Sequence, residues 1–251
     1  MHSLRLGDLW LRCLSAASFL VLWQVASGIA ASPLLPGPAA VASSLAKLAV
    51  TGHLLSDLGI TLLRVAASFV VAMAVGSVFG ILMGRSRRID GLFDLWLVLG
   101  LNIPALVIIF LCYLWVGLSE VAAILAVAIN KIPTCAVILR EGARSVDREL
   151  LQVADVLELH WWRRLRKVYL PQLYPYFMGA TRAGLSLIWK IVLVVELIGR
   201  SNGVGFRLGV YFQFFDITSI LAYTASFVAV MLAIEGWVMR PLERRLTRWR
   251  G

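Results

Sequence analysis

Long apolar stretches constrain the fold of this chain more than any other feature. Six of them approach the roughly 20 apolar residues that a helix needs to cross a bilayer; they cover about residues 9–30, 56–83, 92–116, 121–139, 174–198 and 220–239. Hydrophobic residues make up 60% of the chain and charged residues only 15%, whereas a typical soluble domain has about 25% charged residues. The sequence therefore predicts an all-α, polytopic membrane protein with about six transmembrane helices in a single domain, residues 1–251.

The segments around the first stretch carry their own signals. The stretch is long for a signal peptide and lacks a clean small-residue cleavage site, so we expect an uncleaved helix. Pro33, Pro36 and Pro38 then interrupt the chain. The amphipathic segment after these prolines, residues 39–50, is predicted to form a short interfacial helix.

The positive charges are distributed unevenly between the loops. If the N-terminus is inside, one face of the membrane keeps only Lys47, Arg200 and Arg207 in its loops. This bias is the positive-inside pattern, and it explains the net charge of +10 without a nucleic acid partner. Both termini and residues 140–171 are therefore predicted to be cytoplasmic. The basic residues assigned to that face are Arg5, Arg12, Arg85, Arg87, Arg88, Arg140, Arg144, Arg148, Arg163, Arg164, Arg166, Lys167, Arg240, Arg244, Arg245, Arg248 and Arg250.

Residues 140–171, the charged island, separate two apolar spans. The island starts near Glu141 and ends with Leu170-Pro171. Between these ends the sequence predicts a short amphipathic helix that can dock into a cleft on a soluble partner. The basic cluster that follows the helix leaves open a second interpretation, an amphipathic loop lying on anionic lipid. The apolar face of the predicted helix consists of Leu150, Leu151, Val153, Ala154 and Leu157, and the basic cluster of Arg163, Arg164, Arg166 and Lys167.

Several kinds of catalytic or metal site have no support in the sequence. There is no G-x-x-x-x-G-K-[ST] phosphate-binding loop, and the glycine-rich segment 199–205 lacks the Lys-Ser or Lys-Thr that such a loop requires. The three cysteines and three histidines have no metal-ligand spacing, and no Ser, His and Asp constellation is identifiable. We therefore expect neither ATP hydrolysis by this chain nor a metal site.

Polar residues within the spans are candidates for a translocation pathway, because an intramembrane charge is costly and usually faces a partner or water. Lys190 either attracts an anion in the pathway or pairs with a carboxylate of another span; Glu196, six residues on, is too far for a local i, i+4 pair. Asn102 precedes a proline, where an interrupted helix would expose backbone amides, although it can equally form a hydrogen bond between helices. Trp189 is the fourth candidate, with packing as the alternative. Lys131 is expected to snorkel to the inner face.

The charged island resembles the coupling loop of permease subunits of bacterial ABC importers, which has an E-A-A opening and an I-x-L-P close. Two positions depart from that pattern. Gly142 replaces the middle alanine, and Glu158 stands where a glycine is usual, so we expect the bend there to differ in detail. The residues that the resemblance assigns to ATPase coupling are Glu141, Gly142, Ala143, Asp147, Ala154, Leu157, Glu158, Trp162, Leu170 and Pro171, within a loop of about residues 140–172.

The resemblance extends over essentially the whole chain. Outside the island it is carried by Pro36-Gly37-Pro38, the helix with Arg64, the segment 84–88, Ser145-Val146-Asp147 and Trp189-Lys190. These segments resemble the branch of the family that transports nitrate, sulfonates, taurine and bicarbonate.

The resemblance implies a transport subunit of the bacterial inner membrane. It implies two copies of a separate ATPase subunit, which bind ATP and magnesium, a second permease copy in a homodimer, and a periplasmic binding protein that delivers the solute. The solute expected is a small oxyanion such as a sulfonate, taurine or nitrate. Two alternatives remain at this point: a stand-alone channel or ion-coupled carrier, and a membrane scaffold that recruits an ATPase without transport. A carrier is expected to show inverted repeats and buried carboxylates for ion coupling. The predicted spans contain few acidic residues that could serve as such carboxylates.

Overall fold

The computed structural model describes residues 6–241, and the regular structure in this range is helical. The α-helices are α1 (Leu6–Ala30), α2 (Pro38–Thr51), α3 (Leu54–Arg85), α4 (Arg87–Asn102), α5 (Ala105–Val116), α6 (Glu120–Arg144), α7 (Arg148–Val156), α8 (Trp161–Arg164), α9 (Leu170–Gly199), α10 (Val204–Gln213) and α11 (Ile217–Ile234). A turn of π-helix follows α8 at Leu165–Tyr169, and another follows α11 at Glu235–Met239. Some residues used for the predicted orientation, namely Arg5, Arg244, Arg245, Arg248 and Arg250, lie outside the described residues.

The helices account for the expected membrane spans. Four helices of the described chain are long and apolar enough to cross a membrane, namely α1, α3, α6 and α11 with its π-helical turn, and the number is five if α4 and α5 count as one bent span. α9 also has the length of a span, because its 30 residues at about 1.5 Å each extend over about 45 Å. It is not among the helices that are apolar enough by this measure, and it carries Arg182, Lys190 and Glu196. The structure thus supports five of the expected six spans, counting the bent pair as one, and α9 covers the position of the remaining predicted span.

The third predicted span is two helices and not one. α4 ends at Asn102, α5 begins at Ala105, and their axes are bent by 99°. Pro104 lies at the junction, where a proline lacks the N–H that would continue the helix and disfavours helical geometry in the residue before it. The interruption expected at this position is confirmed.

The centre of the bundle is the packing of α3 against α6, with α9 beside them. Gly76, Gly80 and Gly84 recur at one-turn intervals on the face of α3 that meets α6. A Cβ atom on Gly76 would lie 2.6 Å from Cys135 Cβ, and one on Gly84 would lie 2.5 Å from Ala143 Cβ. Small residues at such spacing let two helix backbones approach closely. The close approach holds the end of α6, and with it the start of the charged island, against the end of α3.

Candidate functional site

The carboxylate of Glu141 lies on the last turn of α6, half exposed, between two arginines. Arg144 Nη1 is 3.0 Å from Glu141 Oε1, and Arg140 Nε is 3.3 Å from the same oxygen. The same guanidinium groups also pair with Asp90 and Asp94 of α4. The two pairs of Glu141 itself are half exposed on the glutamate side, and surface pairs contribute about 0–1 kcal/mol each. Their effect at Glu141 is therefore to orient an accessible carboxylate more than to stabilise the fold.

An aromatic neighbour explains why position 142 is a glycine. A Cβ atom on Gly142 would lie 2.6 Å from Tyr176 Cγ, so the ring occupies the space that the family's alanine methyl would need. Ala143 is buried against Gly84 and Tyr169. The opening of the island is thus packed tightly against α9 and α3, and the departure from alanine is matched by a tyrosine 34 residues later in the sequence.

Asp147 starts the amphipathic helix α7. Its Oδ1 accepts a hydrogen bond of 2.8 Å from the backbone N–H of Glu149, a typical N-cap contact. Its own N–H donates to Gln172 Oε1 at 2.8 Å, which ties the start of α7 to the first turn of α9. Asp147 therefore both begins α7 and fixes its position on the bundle.

The apolar face of α7 is only partly covered by the chain itself. Ala154 is buried and Leu151 is half buried against the bundle. The remaining apolar side chains are exposed, namely those of Leu150, Val153, Val156 and Leu157. Leu157 keeps 65% of its surface accessible. An exposed apolar strip on a helix bounded by charged residues is typical of a surface that binds another protein or a membrane.

Glu158 ends α7 in the left-handed region, with φ at 48°. The N–H of Leu159 donates to the carbonyl of Ala154 at 3.0 Å, and the N–H of Glu158 donates to that of Asp155 at 2.9 Å. This pair of bonds is a Schellman motif, whose left-handed position is usually a glycine. The backbone at this position therefore adopts the conformation that usually takes a glycine, although the residue is a glutamate.

We expect Glu158→Gly to stabilise the end of α7. A non-glycine residue in the left-handed region costs roughly 1–2 kcal/mol, partly offset by the larger conformational entropy that glycine has when unfolded. The predicted gain of about 1 kcal/mol corresponds to about fivefold slower hydrogen exchange of the Leu159 amide. Glu158→Ala is the matched control: if it gives the same protection as Glu158→Gly, the charge and not the backbone angle is responsible.

Trp162, Leu170 and Pro171 connect the island to α9. Trp162 is exposed and packs edge to face on Trp161, with ring centroids 5.4 Å apart. Leu170 and Pro171 form the first turn of α9, directly after the π-helical turn. The end of the charged island is therefore the start of α9.

The candidate pathway residues differ in their surroundings. Asn102 is exposed at the bend, and its Nδ2 donates to Val98 O of its own helix at 2.7 Å, so the alternative of a hydrogen bond between helices is not what the structure shows. Trp189 is buried and stacks edge to face on Phe227 at 5.6 Å. Lys190 is exposed, and within residues 6–241 no carboxylate lies within 4.0 Å of its ammonium group. Of these three, Lys190 carries the accessible charge.

The expectation that Lys131 snorkels to the inner face is wrong. Its side chain is only 2% exposed and lies midway along α6, where Nζ is 3.5 Å from Thr134 Oγ1. The packing of α6 against its neighbours covers the lysine before it can reach either end of the span.

Glu196 is fully buried, with 0% of its surface exposed, in a network of charge-assisted hydrogen bonds. Its carboxylate accepts from Arg64 Nη1 at 2.7 Å, from Gly205 N at 2.8 Å and from Thr61 Oγ1 at 2.9 Å. Arg64 also forms a two-point contact with Glu120, at 2.7 Å and 2.6 Å. The network joins α3, α6, α9 and α10. Glu196 is thus held in the packing of the helices and not on an open surface.

A second buried carboxylate, Asp57, extends this network. It accepts from Gly203 N at 3.0 Å, from Arg207 Nε at 2.9 Å and from Tyr223 Oη at 3.1 Å. These contacts attach α10 and α11 to α3. Together the two carboxylates fix the short helix α10 at the end of the bundle opposite the charged island.

Sequence reasoning missed most of this network, although a signal for it exists. Asp57, Thr61 and Arg64 occur at i, i+4 and i+7 in an otherwise apolar helix. Polar residues on one stripe of a membrane helix usually face other helices or an aqueous path. Considering α3 together with Glu196 would have indicated the pairing.

The sequence matches known proteins over most of its length. A sequence model of the family described as "Binding-protein-dependent transport system inner membrane component" matches residues 76–248. A Bacillus subtilis protein named as an aliphatic sulfonates transport permease, SsuC, is 32% identical over 96% of this chain and 88% of its own length. The taurine transport system permease protein TauC of Escherichia coli is 29% identical over 94% and 88%. The bicarbonate transport system permease protein CmpB of Synechococcus elongatus is 25% identical over 91% and 87%.

The fold is also similar to that of a solved structure, an amino acid ABC transporter crystallised with histidines. The two agree with a TM-score of 0.62, over 80% of this chain and 97% of the other. The sequence identity is 22%, so the likeness shows the fold alone.

Proposed function

The chain belongs to the family of binding-protein-dependent transport system inner membrane components and is a permease subunit of an ABC importer, and we propose that it conducts a small oxyanion, a sulfonate, taurine or a related anion. Two observations support the solute class. The relatives named above are designated for aliphatic sulfonates, taurine and bicarbonate, and α9 presents Lys190, an exposed ammonium group with no carboxylate partner in the described chain. Family membership does not favour a stand-alone channel or an ion-coupled carrier.

The single observation that carries the coupling proposal is the exposed apolar strip of α7. We propose that this strip seats in a cleft on a separate ATPase subunit, with Glu141 fixing the register. One ATPase would bind each of two permease copies, and ATP and magnesium would be held by the ATPase. A periplasmic binding protein would deliver the solute at the opposite end of the bundle. In this arrangement, movement of the ATPase is transmitted through α7 and Asp147 to α9.

The proposed orientation places the charged island in the cytoplasm, in accord with the positive-inside rule. Reporter fusions after Arg88 and after Asp147 are then expected to be cytoplasmic, and a fusion near Lys47 external. A reversed result at any of the three positions would overturn the orientation.

Reconstituted uptake tests the function as a whole. The chain is co-purified with its ATPase, placed in vesicles and supplied with the binding protein and with taurine, an alkanesulfonate, nitrate or bicarbonate. Uptake of one of these anions that requires ATP supports the proposal. Uptake without ATP would support the carrier, and association with the ATPase but no uptake of any solute would support the scaffold.

Lys190→Met is expected to lower uptake at least about tenfold, because a hydrogen bond to a charged group contributes about 1.5–3 kcal/mol. Assembly with the ATPase should be unchanged, since Lys190 is exposed and has no carboxylate partner within residues 6–241. Lys190→Arg, which keeps the charge, is the control. Equal loss of uptake and of assembly in Lys190→Met would show a structural role.

A further inference from the structure

A large basic cavity lies at the island end of the bundle. Its volume is about 1130 Å³, and it is enclosed by the corner between α3 and α4, the end of α6, α7 and the π-helical turn before α9. Small-molecule sites usually have volumes of about 300–1,000 Å³. Its charged lining consists of Arg85, Arg87, Arg144, Arg148, Arg164 and Asp90.

The charges in this cavity are not balanced by the chain. Asp90 is already paired with Arg144, and Arg164 is paired with Asp155. For the remaining guanidinium groups, those of Arg85, Arg87 and Arg148, no carboxylate of residues 6–241 lies within ion-pair distance. The cavity therefore presents three uncompensated positive charges, two at the α3–α4 corner and one at the first residue of α7.

Tyr169 gives independent evidence for an anion in this cavity. Its side chain is only 7% exposed and lines the cavity, and its hydroxyl has no hydrogen-bond partner among the described residues. Arg85 lies over its ring, 5.3 Å from the centroid. Burial raises the pKa of Tyr169, so the hydroxyl keeps its proton and acts as a donor. A buried hydroxyl left without a partner destabilises the fold, and an anionic acceptor in the cavity would supply the missing hydrogen bond.

The rest of the wall is apolar, and it constrains what kind of anion fits. Met83, Leu151, Trp161 and Leu165 line the same cavity as the arginines. A guanidinium group matches a phosphate with two parallel hydrogen bonds, and an apolar wall accommodates a hydrophobic body attached to that phosphate. Basic pockets between membrane helices on the cytoplasmic side bind phospholipid headgroups in this manner.

We propose that this cavity binds a phosphate group attached to an apolar or aromatic body, held by Arg85, Arg87 and Arg148 and by a hydrogen bond from Tyr169. The source is either an anionic phospholipid or a soluble nucleotide. A ligand here bridges the α3–α4 corner and the first residue of α7, so its binding stiffens the charged island. The site is separate from the apolar strip of α7, and its existence does not depend on the solute that the protein transports.

Binding to the full chain, purified without its ATPase, tests this site. The lipid probes are cardiolipin and phosphatidylglycerol in phosphatidylcholine nanodiscs, followed by native mass spectrometry; the soluble probes are ATP and inorganic phosphate, followed by equilibrium dialysis. Retention of an anionic lipid that ATP does not displace identifies the lipid source, and displacement by ATP identifies the nucleotide. Binding of none of the four probes would overturn the proposal.

Matched variants separate a built site from general attraction to positive charge. Arg85→Gln with Arg148→Gln should weaken binding at least tenfold, whereas Arg88→Gln with Arg163→Gln, which removes the same charge from exposed arginines outside the cavity, should leave it unchanged. Tyr169→Phe keeps every charge and should weaken binding about tenfold through the lost hydrogen bond. Equal weakening in the two double variants, with no effect of Tyr169→Phe, would show counter-ion attraction only and overturn the site.

Discussion

Glu141→Lys is expected to abolish ATP-driven uptake, to below about a tenth of the wild-type rate, while the chain still inserts and folds. The carboxylate is half exposed on the last turn of α6 and contributes little to packing. Lysine at this position reverses the charge offered to a docking partner and places a third cation beside Arg140 and Arg144. Losing a charge-assisted contact across an interface and adding a repulsion costs several kcal/mol. The measurement is ATP hydrolysis and uptake by the complex reconstituted in lipid.

The control for this substitution uses the same cluster of arginines. Asp94 on α4 is an exposed carboxylate that also pairs with Arg140, but it lies outside the charged island. Asp94→Lys should therefore leave coupling largely intact, and Glu141→Gln should give an intermediate loss. If Asp94→Lys and Glu141→Lys are equally inactive, the arginine cluster and not the docking of Glu141 is what uptake requires. Normal uptake by Glu141→Lys would contradict the coupling assignment directly.

The membrane helices could be predicted from the sequence because their signal is local. An uninterrupted apolar stretch of about 20 residues must form a helix that satisfies its own backbone in lipid, so the positions of α1, α3, α6 and α11 follow from hydropathy. Pro104 likewise marked the interruption between α4 and α5, since its effect is confined to its own backbone. The direction of the bend, by contrast, depends on what the two halves pack against, which hydropathy does not contain.

The partners of the buried charges could not be predicted in the same way. Arg64 and Glu196 are 132 residues apart and meet only because α3 and α9 pack side by side. In the sequence, Lys190 lies six residues before Glu196, and this spacing does not suit a local pair, so Glu196 stays among the pathway candidates. The backbone angle at Glu158 could not be predicted either, although it is a local feature. A glutamate predicts no left-handed turn, and the backbone adopts one because the Schellman bonds of α7 require it.

The largest stability effect is expected at the Arg64–Glu196 pair. Arg64→Met leaves the fully buried Glu196 carboxylate without its cation, and breaking a buried pair from one side costs about 3–5 kcal/mol. We expect this variant to lose its monodisperse, folded form in detergent at temperatures where the wild type retains it. The measurement is the midpoint of thermal unfolding, read by size-exclusion chromatography after heating.

The double variant Arg64→Met with Glu196→Gln tests the electrostatic reason for that loss. Glutamine is neutral, keeps the volume of glutamate and retains an oxygen that can accept from Thr61 and Gly205, while Glu120, half exposed, can be hydrated. The double variant should therefore recover at least half of the stability lost by Arg64→Met alone. Lys190→Met, six residues earlier on α9, should leave the midpoint unchanged. Glu196→Gln removes the unpaired negative charge but does not restore the packing of the arginine stem. If the single and double variants have the same unfolding midpoint, that packing and not the charge of Arg64 holds α3 to α9.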